Sequence, residues 1–212
     1  MSQNYLSIYA KSFNWAGFFL PKSKYNNCST LYDFCRTVDN IADEEENLDI
    51  KKKNFKEFKK RFYEKDFSSI KIRNMWQLIH EFSISTKIID DLFDGIETDL
   101  QEKVLLNNEK DLLIYSYRVA GTVGLMMAKI LKVKSNLALT SAINLGIAMQ
   151  LTNIARDVIE DSERNRNYID NNFDKIKETI KLADTFYNSS FRSISEIPIS
   201  CRFAILVARR VY

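Results

Sequence analysis

Asn153, Asp157 and Asp161 stand at steps of four within QLTNIARDVIED, residues 150–161. Read as a helix, this run stacks an amide and two carboxylates along one face, about one turn apart. Leu151, Ile154, Ala155, Val158 and Ile159 supply an apolar surface between them, so the helix packs against a neighbour. Like charges at this spacing repel by roughly 0.2–0.5 kcal/mol when exposed, and by more when partly buried. A divalent cation between them is the simplest relief.

An earlier run, LYDFCRTVDNIADEEE, repeats the pattern, with Tyr32, Arg36, Asp39 and Asp43 at helical steps of three and four. Arg36 precedes the first acid pair. Gln150 and Asn153 precede the second, and Arg156, Arg164 and Arg166 flank it. Oxygen ligands without His or Cys suit Mg²⁺, with Mn²⁺ as the alternative, and such ions share their ligands between carboxylates, waters and phosphates. Opposed carboxylates with nearby arginines therefore describe a diphosphate site, the guanidinium groups taking the remaining phosphate oxygens. The chemistry that follows is departure of diphosphate from carbon, with an apolar pocket to shelter the cation left behind.

These residues must be positioned by the rest of the chain, whose 212 residues suffice for one core. Five Gly and two Pro in the whole sequence favour long helices over many short strands, and all-α is the expected class. A net charge of +3 is too small to argue for nucleic acid. Cys28, Cys35 and Cys201 form no CxxC pair and fit free thiols in a reducing compartment. The N-terminus carries no signal-peptide pattern, and no uninterrupted apolar run of about 18 residues occurs. A cytoplasmic protein is expected, with peripheral contact at the inner face of a membrane left open.

Helices are expected over residues 5–20, from about Asn27 or Ser29 to Glu46, over 54–63, around Met75 to Phe82, over 110–131, from Ser135 to about Arg164, over 174–191, and from Ile199 onward. The core stripe of the second helix is Leu31, Phe34, Cys35, Val38 and Ile41 or Ala42. The lysine-rich segment 54–63 reads as a solvated surface helix with Phe55, Phe58 and Phe62 beneath it, a basic patch near a membrane being the alternative. His80, the one histidine, has no partner for a catalytic triad. The acids of residues 83–100 read as a helix end and a solvated turn around a break at Gly95. Ala138, Ala142 and Gly146 read as tight packing.

LYDFCRTVDNIADE and QLTNIARDVIEDSERNRNYI resemble the two aspartate-rich signatures of the squalene and phytoene synthase family. YSYRVAGTVGLMMA resembles the segment between them, and KSFNWAGFFLP and DGIETDL extend the likeness weakly over nearly the entire chain. The resemblance implies a helical isoprenoid synthase fold around a central cavity. It also implies head-to-head condensation of two prenyl diphosphates through a cyclopropylcarbinyl diphosphate, most like a bacterial phytoene synthase acting on geranylgeranyl diphosphate. By position it implies Asp39, Asp43, Asn153, Asp157 and Asp161 as metal ligands. Arg36, Gln150, Arg156, Arg166 and Tyr168 fall at diphosphate-binding or site-closing positions. Ser12 and Tyr32 fall near substrate, and Tyr115, Val119, Gly121 and Thr122 in the cavity-lining segment. NADPH is not expected. Chain-length preference is expected to depend on how Phe18, Phe34, Leu145 and Met149 pack.

Three positions depart from the family pattern. Asn40 replaces the second acid of the usual DDxxD run. Tyr9-Ala10-Lys11-Ser12-Phe13 stands where His-Ser-Lys-Ser-Phe is common, and the sequence ends at Tyr212, where the family continues through further helices. Residues 1–212 are thus expected to form one domain lacking the last helices, its cavity either open at the C-terminal side or completed there by a partner or second subunit. Two other readings stay open: a squalene, dehydrosqualene or presqualene diphosphate synthase using farnesyl diphosphate, and a non-catalytic assembly protein that keeps the fold.

Overall fold

Pro21 fixes where the first described helix begins. A computed structural model of the chain describes residue 17, residues 19–43 and residues 47–211. The Pro21 carbonyl accepts from the Tyr25 amide at 2.9 Å, and helix α1 runs Lys22–Asp43. It starts earlier than Asn27 or Ser29, which lie inside it. Proline's fixed φ and missing N–H suit a helix start, and this outweighs the weaker capping signals downstream. The helix expected over residues 5–20 lies almost wholly outside the described residues, and so does Ser12.

One stripe of α1, Leu31, Phe34, Val38 and Ala42, is buried to 2% exposure or less. It packs on α2 (Leu48–Tyr63), α3 (Ile70–Glu81) and α4 (Thr86–Asp99). Phe34, Phe55, Phe58, Phe62 and Phe93 meet there ring to ring at centroid separations of 5.5–6.4 Å, within the range of favourable edge and tilted contacts. Trp76 stacks on Phe62 and donates its indole N–H to the Phe62 carbonyl at 2.9 Å. Phe34 therefore belongs to this aromatic core and not to a cavity wall. The phenylalanines of α2 turn inward while its lysines face water or the protein's edge, as the sequence pattern requires. His80 lies exposed beside Trp76.

α4 is continuous through Gly95, contrary to the expected break. Gly95 is buried, and a Cβ on it would come within 2.7 Å of Val119 Cγ1, so the glycine serves a close helix contact and not a turn. The helix expected over 110–131 is instead α5 (Glu109–Ser116), a π-helical turn at Tyr117–Gly121, and α6 (Thr122–Ile130). Such wide turns inside helices recur at functional sites. α7 (Asn136–Arg156) and α8 (Val158–Glu163) then meet at Asp157, whose φ of −100° and ψ of 14° interrupt the expected single helix. The amides of Asp157 and Asp161 still donate four residues back, at 2.8 Å each, so Asn153, Asp157 and Asp161 stay in register across the junction. Ile159, expected in the packed surface, is 63% exposed there.

α9 (Phe173–Phe191) lies along α7, and α10 (Ile199–Val211) closes one end of the cavity described below. The strands among the described residues are two residues long: β1 (Val104–Leu105) pairs in parallel with β2 (Arg166–Asn167), Val104 opposite Arg166. The class is all-α apart from this clip. The length and composition of α7 would pass for a membrane span, yet it packs between α6 and α9 and lines the cavity.

Candidate functional site

The polar stripe of α1 and the end of α7 meet at a cavity of about 260 Å³. Tyr32, Arg36 and Asp39 reach it from α1, Val119 from the π-helical turn, and Gln150 and Asn153 from α7. Most of the remaining wall is aliphatic or glycine, with Leu145 and Met149 among it. Two glycines let the helices close on this space. A Cβ at Gly124 would lie 2.2 Å from the Ala142 carbonyl oxygen, and one at Gly146 would lie 2.3 Å from that of Ala120. Gly121 and Thr122 sit in this crossing and not in the lining, and the Thr122 hydroxyl donates to the Arg118 carbonyl at 2.7 Å.

Asp43, Asp99, Asp161, Arg166, Tyr115 and Tyr168 form a polar cluster coupled to Asp39 at the cavity's polar end. Arg166 Nη1 donates to Asp43 Oδ1 at 2.8 Å, and Nη2 donates to the Ala42 carbonyl at 3.2 Å. Tyr168 donates to Asp99 Oδ1 at 2.6 Å, the Tyr115 hydroxyl lies 2.9 Å from Asp99 Oδ2 and 2.9 Å from the Tyr168 hydroxyl, and the two rings stack at 4.6 Å. The β1–β2 clip positions both ends of this arrangement. β1 begins five residues after Asp99, and its Val104 pairs with Arg166 itself. Arg156 makes two 2.6 Å bonds to its neighbour Asp157.

Burial and neighbouring carboxylates oppose ionisation here. Burial, then the Asp43 charge, pushes Asp39 up to about 7, with Arg36 pulling the other way. Burial, then Asp157, pushes Asp161 up to about 6. Asp99 is also raised, first by burial, against the opposing pull of Arg166. Burial alone would lower the Arg166 pKa, but Asp99, Tyr168 and Asp43 more than reverse this and hold the guanidinium charged. An excess of anionic oxygen thus surrounds one arginine.

Among the described residues no three His, Cys, Asp or Glu side chains already form a metal-holding group. The donor chemistry nevertheless fits a hard cation: the groups are all oxygen, burial and then a neighbouring carboxylate oppose ionisation of two of the carboxyls, and Asn153 Oδ1 is buried without a hydrogen-bond partner among the described residues. Asp39, Asp43, Asn153, Asp157 and Asp161 would hold it.

Sequence spacing alone did not single out Asp99. Its acidic helix read as solvated because Asp90, Asp91, Asp94 and Glu97 surround Gly95, and those four do face outward or pair with Tyr63, Tyr117, Arg118 and Lys59. Asp99 lies at the helix's last turn, where the chain dives beneath Tyr115 and Tyr168. Tyr115, expected in the cavity wall, belongs to this cluster instead.

A helical fold in which Asp39 of α1 and Asn153 of α7 reach one largely apolar cavity is of the isoprenoid synthase class. The chain belongs to the squalene/phytoene synthase family, whose profile matches residues 6–173. It is 28% identical to the phytoene synthase of Cereibacter sphaeroides over 95% of this chain and 66% of that one. It is 37% identical to the 15-cis-phytoene synthase of Enterobacter agglomerans over 48% of this chain and 42% of that one. The chain thus spans less than two thirds of the length of either relative. Its structure superposes on a dehydrosqualene synthase with a TM-score of 0.82 at 26% identity, covering 98% of this chain and 80% of the other.

Proposed function

We propose that the chain carries the active site of a Mg²⁺-dependent prenyltransferase that joins two geranylgeranyl diphosphates head to head, through a cyclopropylcarbinyl diphosphate, to phytoene. The observation that carries this reading is the cavity's polarity. Asp39, Arg36, Gln150 and Asn153 gather at one end while aliphatic residues and glycine line most of the rest, so a diphosphate and its hydrocarbon tail each have a matching environment.

Arg36, Arg156 and Arg166 would bind and orient phosphate oxygens. Bound Mg²⁺ would supply Lewis-acid stabilisation of the charge that develops on departing diphosphate. The aliphatic wall keeps water from the allylic cation, and the nearby ring of Tyr32 offers it a π face. The likeness to phytoene synthases over most of the chain supports the longer substrate. The likeness to a dehydrosqualene synthase favours a second reading, the same chemistry on farnesyl diphosphate.

Incubating the purified chain with Mg²⁺ and either diphosphate, then extracting the lipid, separates the two. A forty-carbon hydrocarbon with a central conjugated triene is expected from geranylgeranyl diphosphate. A thirty-carbon product alone would overturn the substrate assignment and keep the chemistry. Absence of any condensation, with diphosphate unbound, would favour an assembly protein.

A further inference from the structure

Arg166 is tied to α1 at two points, the Asp43 carboxylate and the Ala42 carbonyl, and its side chain keeps only 10% of its exposure. Its charge also acts on Asp39, Asp99 and Asp161. One guanidinium therefore stands amid four carboxylates drawn from α1, α4 and α8. Three of the four are acids that would hold the metal. A divalent ion beside Asp43 would share its space with a charged arginine, and the two repel strongly where water is scarce.

Resting on the metal–diphosphate reading above, we infer that Arg166 is the internal counter-ion of the metal-free site, which releases Asp43 when a metal binds and is received by the substrate's diphosphate. The guanidinium fork fits phosphate oxygens as well as it fits a carboxylate, so the exchange loses no bonds once both ligands are present. Metal alone strands the arginine among cations. Diphosphate alone meets an arginine already spent on Asp43. Each ligand thus removes the obstacle to the other, and the two bind with positive coupling. Arg156 does not act in this way: its side chain is 62% exposed and its guanidinium bonds its sequence neighbour Asp157, a surface ion pair whose release costs little.

The test measures Mn²⁺ affinity by electron paramagnetic resonance without diphosphate, and binding of labelled inorganic diphosphate by dialysis with and without Mn²⁺. Arg166→Gln should bind Mn²⁺ alone about tenfold more tightly than the unaltered chain, while the enhancement of diphosphate binding by Mn²⁺ shrinks by a similar factor. A Gln variant with unchanged circular dichroism that binds Mn²⁺ alone no more tightly overturns the inference. Should that variant fold poorly, arginine side-chain NMR of the unaltered chain decides. The Arg166 signal should move when Mg²⁺ and diphosphate are both present, and a signal that stays in place overturns the inference. If neither protein binds Mn²⁺ in the presence of diphosphate, the metal–diphosphate reading itself falls.

Discussion

The Tyr168 hydroxyl donates to Asp99 over 2.6 Å, linking the segment after the second acidic run to the last turn of α4. A hydrogen bond contributes about 0.5–1.5 kcal/mol, and about 1.5–3 kcal/mol where the acceptor is charged, while Asp99 keeps Tyr115 as a second donor. Tyr168→Phe should therefore destabilise the chain by about 1–2 kcal/mol. Urea unfolding measures it, and an unchanged midpoint would mean that this bond contributes nothing to the fold.

Asp157→Asn should reduce turnover by about a hundredfold or more, the usual scale for weakening the charge that would stabilise the leaving group, here by removing a carboxylate that would hold the metal. The thermal melt should stay near that of the unaltered chain, because the Asp157 side chain is 31% exposed and bonds the adjacent, exposed Arg156, while its backbone keeps the bonds of its own helix turn. A collapse in melting temperature would assign the acid to structure instead.

Stability should fall as pH rises from about 4 to about 7. Asp39 and Asp161, at about 7 and about 6, hold protons in the folded chain that the unfolded chain has lost. More protons are then bound to the folded state, and unfolding becomes easier with rising pH. A divalent ion at these oxygens would remove the cost of ionisation. The rise in melting temperature caused by Mg²⁺ should thus be larger near pH 8 than near pH 5, and equal shifts at both would place the ion elsewhere.

Gly146→Ala should cost about 1–3 kcal/mol, the scale of forced overpacking, because the new methyl would meet a backbone carbonyl oxygen at 2.3 Å. A backbone atom cannot swing aside as a side chain can. Differential scanning calorimetry measures the loss, and a melt at the unaltered temperature would mean that the π-helical turn and α7 separate freely.

The helices were legible in the sequence because the apolar stripes of α1, α2 and α7 follow the helical period, and the acids of α1 share the face opposite Leu31 and Phe34 for the same reason. The interruptions were not. The π-helical turn at Tyr117–Gly121 leaves the apolar pattern intact, and the bend at Asp157 preserves the four-residue hydrogen bonds that sequence spacing reflects. Gly95 has the composition of a turn, but tertiary contact with Val119 decided its role. Asp99 was hidden for a related reason. Nothing in its own segment separates it from four surface acids, and only the distant Tyr115, Arg166 and Tyr168 give it a site.

The crossing at Gly124 and Gly146 has a consequence for how this pocket could diversify. Where Ala120, Gly124, Ala142 and Gly146 form the wall, the boundary is largely main chain, which has no side-chain atoms left to trim. Substitution on that side can only fill the space or push the helices apart. Any widening for a bulkier tail must come from the lining positions, such as Tyr25, Leu145, Met149 and Ile205, that still carry side-chain atoms mutation can remove.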